Sequence, residues 1–490
     1  MKRFTPAIFT LALLAAVFTG CVSQAGQPGQ ATGQNTALPT IAPQAPPTGQ
    51  ALEELECPGC NVLLVSFDAL QASHVSHLGY FRNTTPEIDK IAATAYSFEN
   101  AVNPASWTVP SYMSWFTSTY PSEHKLVNKF SKFSKEEKVL SNLSQLSPGL
   151  TTLAQVFKQN GYSTGGFTGD AGVSGFFGYA KGFDVYYDNV TFGGLEYSAP
   201  LALEWLEKNK DKPFFMFLHG YDSHGQYVPE KGFDYRFVDS GYTGIYNGSK
   251  QQQAELREKG LAGQGLNLTE EDVKFWRAVY DEKIQRADAK FAEFMKKFEE
   301  MDLLNNTIII IASDHGTELY EHGRFDHGFS LYDELIHAPL VVYVPGGKKG
   351  VRIKEQVRTI DLMPTIIELT GLKAGEGVEK QMRGVSLVPA MSGEKLELDA
   401  FSETDYRRYT YKRSLRKANG WKLIYTLESG AKELYDLKTD PQEKNNLVEK
   451  EPAKAYELEQ ELFGYLKLVG EEPSGEWATG CVPVYADQCK

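Results

Sequence analysis

Basic charge, cysteine and long apolar runs are what this chain has little of. Only 50 Lys and Arg stand against 63 Asp and Glu in 490 residues, a formal net charge of −13. That balance argues against a chain whose main business is neutralising nucleic-acid phosphates, so no nucleic-acid partner is expected. Five cysteines occur, Cys21, Cys57, Cys60, Cys481 and Cys489, and an odd number asks for one of them to be special. The apolar run at residues 4–18 stops short of the roughly 20 residues that a membrane-spanning helix needs. Residues 22–52 hold no charge at all and are rich in Gln, Ala, Gly, Pro and Thr. Such a stretch cannot bury enough apolar surface to offset its ordering entropy. What is present is globular, since 42% hydrophobic and 12% aromatic residues suffice for a large core in one big domain or two.

The N-terminus has a signal-peptide layout over residues 1–20: Lys2 and Arg3, the apolar run, then the small residues Thr19 and Gly20. Small residues directly before Cys21 resemble a bacterial lipobox, in which the cysteine is lipidated and becomes the mature N-terminus. A soluble secreted form or an uncleaved one is the alternative. On this reading residues 21–56 are a flexible linker, and the protein is extracytoplasmic, tethered to a membrane through lipid on Cys21. Cys57 and Cys60 open the folded part, and Cys481 and Cys489 close it. Outside the cytoplasm these are expected as two disulfides in one of three connectivities. A four-cysteine zinc knot and a redox pair in Cys57-Pro-Gly-Cys60 are the alternatives. That pair precedes a strand, whereas a thioredoxin-like motif opens a helix, so structural disulfides are favoured.

Short apolar runs at 61–67 (NVLLVSF), 162–167, 213–218 (PFFMFL), 307–312 (TIIIIA) and 339–344 (PLVVYV) read as interior strands. Between the third and fourth, Val273, Trp276, Tyr280, Ile284, Ala287, Phe291, Phe294 and Phe298 recur at spacings of three and four, which predicts one long amphipathic helix. Strands alternating with helices predict an α/β fold with a mostly parallel sheet sandwiched by helices, spanning 57–395. From 396 to 490 shorter alternating segments and a last helix predict a smaller C-terminal α+β subdomain. Ligands of such sheets bind beyond the carboxyl ends of the strands. There the first strand ends at Asp68, the third leads into His219, Asp222 and His224, and the fourth runs into Ser313-Asp314-His315-Gly316. Asp oxygen and His nitrogen suit a divalent cation. Upstream, Trp107-Thr108-Val109-Pro110-Ser111 places a hydroxyl at a helix N-terminus, where the dipole favours an anion. Thr108 can be a helix cap, a nucleophile that a metal or base must activate, or both.

These segments together resemble the sulfatase family of the alkaline phosphatase superfamily. The resemblance lies in NVLLVSFDAL, WTVPSYMSWFTSTYPSEH, FFMFLHGYDSHGQY, NNTIIIIASDHG, EHGRFDHGFSLYDELIHAPLVVYVPG and WKLIYTLESGAKELYDLKTDPQEKNNL, in the family's order. It implies that Asp68, Asp314 and His315 are metal ligands and that Thr108 stands at the nucleophile position, beside the metal. It places His224 at the leaving group or anion and His327 where relatives hold an anion-binding residue. Asp222 is a candidate to join His224 and His327 in a second metal site. One ion is expected and two are possible.

The departures carry as much as the matches. Sulfatases oxidise a Cys or Ser at the signature to formylglycine, and Thr108 cannot form that aldehyde. The signature Arg is Tyr112, and the second Asp of the first-strand pair is Ala69. Zinc or manganese is therefore expected over calcium, which favours many carboxylates. The resemblance implies hydrolysis of an anionic phosphate, phosphonate or sulfate ester of a small molecule, lipid head group or glycan, with Thr108 attacking and His224 and His327 serving the leaving oxygen. An envelope phosphoethanolamine- or phosphoglycerol-type transferase and a non-catalytic anion- or glycan-binding lipoprotein are the alternatives.

Overall fold

The computed structural model describes residues 55–127, 146–170, 172–228, 233–406 and 410–470. Cys21, Cys481, Cys489, the leader and most of the linker lie outside the described residues. In the first part of the chain the strands are β1 (Asn61–Phe67), β2 (Tyr96–Val102), β3 (Ser163–Phe167), β4 (Val185–Tyr187), β5 (Phe214–Gly220), β6 (Thr307–Ala312), β7 (Glu318–Leu319), β8 (Phe325–Asp326), β9 (His337–Tyr343) and β10 (Val351–Arg358). Eight of them form one sheet in the order β10-β2-β9-β6-β1-β5-β3-β4. β1 lies between β5 and β6 and is parallel to both, and β3 and β4 extend the parallel part. β9 runs antiparallel to β6 and to β2.

Every residue of β1, β5 and β6 is buried, which is why these segments read as unbroken apolar runs. Strand side chains alternate between faces. Val62, Leu64, Phe215, Phe217, Ile308 and Ile310 pack on one side with Trp115 and Phe116 of the helix Thr108–Thr117. Leu63, Val65, Met216, Leu218, Ile309 and Ile311 pack on the other with Trp276, Tyr280 and Phe291 of the long helix Glu270–Glu300. That helix starts where Thr269 and Asp272 form a reciprocal capping box, with Glu270, Glu271 and Asp272 against the positive end of its dipole. The α/β architecture with helices on both faces is the one the sequence predicts, with β2, β4 and β10 added.

Four further strands, β11 (Ala400–Tyr406), β12 (Thr410–Arg416), β13 (Trp421–Thr426) and β14 (Lys432–Asp436), make an antiparallel sheet in chain order. The helix Pro452–Leu468 closes it, burying Leu458, Leu462 and Leu466 against Phe401, Leu415, Leu423 and Leu434. β11 also reaches the first sheet's strand ends: Glu403 N–H donates to the Pro104 carbonyl at 2.9 Å. Thr404 Oγ1 donates to the Gly328 carbonyl at 2.6 Å. At the start of β1, Cys57 and Cys60 are joined to each other by a disulfide, which narrows the three connectivities to one for this pair.

Candidate active site

β1 and β6 are neighbours in register, so the residues after them arrive at one place. Asp68, Asp314 and His315 are each fully buried, and their ligand atoms lie within 4.8 Å of one another. His315 Nδ1 is 2.7 Å from the Gly316 carbonyl, which only accepts, so Nδ1 carries the proton and Nε2 the lone pair. That lone pair points at two more acceptors, Asp314 Oδ2 at 3.3 Å and Asp68 Oδ1 at 3.6 Å. Both oxygens are buried and have no hydrogen-bond partner. Each carboxylate's other oxygen is held: Ala69 N–H donates to Asp314 Oδ1 at 3.1 Å, and His219 Nε2 lies 3.2 Å from Asp68 Oδ2. Burial pushes both carboxyls up to about 7, and Asp314 also feels the charge of Asp68. Two buried carboxylate oxygens without a hydrogen-bond partner call for a cation or a proton, because stranded buried charge is expensive. A divalent metal fits this donor set.

Thr108 supplies the fourth atom. Its hydroxyl donates to His315 Nε2 at 3.2 Å. Trp107 is the cap position and Thr108 the first helical residue, so its hydroxyl is not engaged as a helix cap. Ser111, one turn on, donates to the Asp314 carbonyl at 2.6 Å and ties the helix to the ligand loop. Gly172 stands beside them because a Cβ there would meet Val109 Cγ2 at 2.9 Å and Thr108 Cγ2 at 3.9 Å. Tyr112, where the family signature has Arg, turns into the core: its hydroxyl bonds Ser66 and its ring meets His219 edge-on at 5.3 Å.

His224 and His327 come together as expected, with their Nε2 atoms 2.8 Å apart. The His327 ring centroid is 4.3 Å from that of His315, so the pair borders the first cluster. The carboxylate that completes this second group is Asp326, 3.2 Å from His327 Nε2, and not Asp222. This corrects the expectation for Asp222. Its Oδ2 accepts the Leu195 N–H at 2.6 Å at the start of the helix Leu195–Asn209, and its Oδ1 takes Lys290 at 2.7 Å. Burial, with nearby His315 and Arg257, holds the His224 imidazole well below its ordinary pKa, so it is neutral.

Sequence reasoning gave no role to Asp326, His219 or Tyr406. Asp326 had a signal, since Asp326-His327 repeats the Asp314-His315 pairing. Tyr406 comes from β11, with its ring 6.0 Å from Trp107 and 6.2 Å from His327, a proximity only the tertiary fold supplies. A separate cleft of about 830 Å³ runs past Gln71, Arg82, Arg277, Asp333 and Arg416 and contains none of the clustered ligands. Its arginines Arg82, Arg277 and Arg416 are paired with Asp281, Glu321 and Asp333.

Comparison with known proteins agrees with this architecture. The sulfatase family model matches residues 60–372. A model described as N-sulphoglucosamine sulphohydrolase, C-terminal, matches residues 320–468. Arylsulfatase K of Homo sapiens is 24% identical over 461 residues, covering 83% of this chain and 82% of that protein. Among solved structures, a 2-O GAG sulfatase aligns with a TM-score of 0.66 at 21% identity, over 86% of this chain and 94% of that one. Phosphonate monoester hydrolase of Agrobacterium radiobacter aligns with a TM-score of 0.66 at 18% identity, over 84% of this chain and 96% of that one. At those identities the structural likeness shows the fold alone, and the family match supplies the rest. With more than half its length under that family model, on the alkaline-phosphatase-like fold, this chain belongs to the sulfatase family and is an ester-bond hydrolase.

Proposed function

We propose that the enzyme hydrolyses anionic phosphate or phosphonate esters with Thr108 as nucleophile. The observation that carries this is the Thr108 hydroxyl, 3.2 Å from His315 Nε2 at the edge of the buried carboxylate pair. A threonine has no route to formylglycine, whereas its oxygen attacks phosphorus directly once its pKa is lowered.

Asp68, Thr108, Asp314 and His315 would hold the divalent ion. When bound, such an ion supplies Lewis acidity that favours the Thr108 alkoxide and offsets charge on the non-bridging oxygens. Zinc or manganese suits these four donors better than calcium, which takes six to eight oxygens. Thr108 Oγ1 attacks phosphorus in line with the leaving oxygen. The Oγ1–P bond forms as the P–O bond to the alcohol breaks, leaving phosphothreonine. The His224–His327 pair takes the Thr108 hydroxyl proton as the Oγ1–P bond forms and passes it to the leaving oxygen. Water then attacks phosphorus from the vacated side, gives one proton to the histidine pair, and the pair passes it to Thr108 Oγ1 as the Oγ1–P bond breaks. On this reading metal analysis returns one ion per chain, and two would assign the second to His224, Asp326 and His327.

Turnover of aryl phosphate, phosphodiester, phosphonate and sulfate esters by wild type and Thr108→Ala tests the proposal. Phosphorus esters should be the substrates, and the variant should lose about 10³-fold or more of kcat/KM. Turnover of sulfate esters alone, or full activity in Thr108→Ala, would overturn it. The leader, the charge-free tether and Cys21 support an extracytoplasmic, lipid-anchored location, tested by fatty-acid labelling that Cys21→Ala should abolish.

A further inference from the structure

We propose that His219 is a positioning residue which confines Asp68 to a single coordinating oxygen and so sets the kind of cation the site accepts. The inference rests on the metal-site reading above and adds to it the residue that governs the number of donors. A carboxylate has two oxygens. Calcium collects six to eight oxygen donors and often takes both, whereas zinc-like ions are satisfied by four donors, one from each ligand.

Here each carboxylate has one oxygen engaged by the scaffold and one without a hydrogen-bond partner. Asp314 Oδ1 accepts the Ala69 N–H, which faces it because Ala69 adopts φ 58°, in the left-handed region. The Ala69 carbonyl is fixed in turn by the Tyr280 hydroxyl at 2.7 Å. Asp68 Oδ2 is held by His219, and the direction of that bond is set by the backbone. Gly169 N–H donates to His219 Nδ1 at 3.2 Å. Nδ1 is therefore the acceptor, Nε2 carries the proton, and Nε2–H donates to Asp68 Oδ2 at 3.2 Å. The loop carrying the Gly169 donor lies so close to its neighbour that a Cβ there would come within 1.8 Å of the Gly193 carbonyl oxygen. The ring itself is wedged, edge-on to Tyr112 at 5.3 Å and stacked on Phe217 at 6.2 Å. His219 sits in β5, opposite Ser66 of β1, so the sheet register delivers it to Asp68. What remains for a cation is Asp68 Oδ1, Asp314 Oδ2, His315 Nε2 and Thr108 Oγ1. Four atoms, two carboxylate oxygens among them, describe a low-coordination site. The position of the family's second first-strand Asp is Ala69, whose backbone N–H now occupies an oxygen instead of adding one.

The test is metal titration of chelator-treated full-length protein by calorimetry, with Zn²⁺ and with Ca²⁺, together with the visible spectrum of the Co²⁺ form. Wild type should prefer Zn²⁺ and give the intense absorption of four-coordinate Co²⁺. His219→Leu frees Asp68 Oδ2, so Zn²⁺ affinity should fall by about 10- to 100-fold, Ca²⁺ should not weaken in step, and the Co²⁺ band should weaken toward higher coordination. His219→Gln can accept from Gly169 through Oε1 and donate to Asp68 through Nε2, and should stay within about threefold of wild type. Equal Zn²⁺ to Ca²⁺ ratios and spectra in wild type and His219→Leu would overturn the proposal. So would equal losses in both variants, which would mark a packing role. If His219→Leu does not fold, the wild-type spectrum still decides, since six-coordinate Co²⁺ or a preference for Ca²⁺ contradicts the proposal. Wild type that binds neither ion would defeat the metal-site reading itself.

Discussion

Two groups of ligand-type side chains face each other across this site, and they are built differently. Asp68, Asp314 and His315 follow central strands, are fully buried, and have every atom that does not face the centre tied to the scaffold. His224, Asp326 and His327 sit on the loop after β5 and around β8; His224 is only half-buried, and Asp326 is paired with Arg257 at 3.3 Å from the helix Lys250–Leu261. In the first group donors are fixed from outside and acceptors left facing inward, which is how a protein holds a cation. In the second, two imidazoles share one proton position 2.8 Å apart, an arrangement suited to passing protons to a substrate. On the proposed function, the difference separates holding a cation from proton transfer.

The sharpest way to break that comparison is Asp314→Asn. Hydrolysis should fall by on the order of 10³-fold or more and metal should no longer bind. The melting temperature of the metal-free protein should rise, because a buried carboxylate facing another has been neutralised. A variant that loses activity but keeps its metal would dissolve the distinction. Next in size, His327→Ala should lower kcat by about 10²-fold to 10⁴-fold while the ion at Asp68, Asp314 and His315 stays at full stoichiometry. Loss of that ion in the His327 variant would move the histidine into the holding group. The smallest effect on catalysis is expected from Asp222→Ala, since Asp222 belongs to neither group. Its kcat should stay within about twofold of wild type, while denaturant unfolding should show about 1–3 kcal/mol of lost stability from the unmade bonds to Leu195 N–H and Lys290.

Asp222 also shows what sequence can and cannot disclose. Its nearness to His224 along the chain suggested a shared ion, but a side chain's direction is decided by partners such as Leu195 and Lys290, which lie far away in sequence. β1, β5 and β6 were legible because burial on both faces leaves no polar position to interrupt the run. β10 (VRIKEQVR) at the sheet's edge and β2 (YSFENAV) beside it were not, since their part-exposed positions take polar and charged residues that break the pattern. The clustering of Asp68, Asp314 and His315 could be read from strand ends and an Asp-His pair. His219 could be seen, but its role could not, because the role depends on Gly169 on one side and Asp68 on the other, joined only by the order of the strands. Thr108 illustrates the same limit at a helix end, where a one-position shift of the helix start separates a cap from a hydroxyl that reaches His315.

The central claim is that Thr108 forms a covalent bond to phosphorus. Mixing the metal-loaded enzyme with a phosphorus ester, quenching in acid within the first turnovers and mapping peptides by mass spectrometry tests it directly. The account predicts phosphate on Thr108 in wild type, accumulating further when His224 is replaced and the histidine pair can no longer take a proton from the attacking water. Sustained turnover with Thr108 unmodified at every quench time, or phosphate on a different side chain, would contradict it.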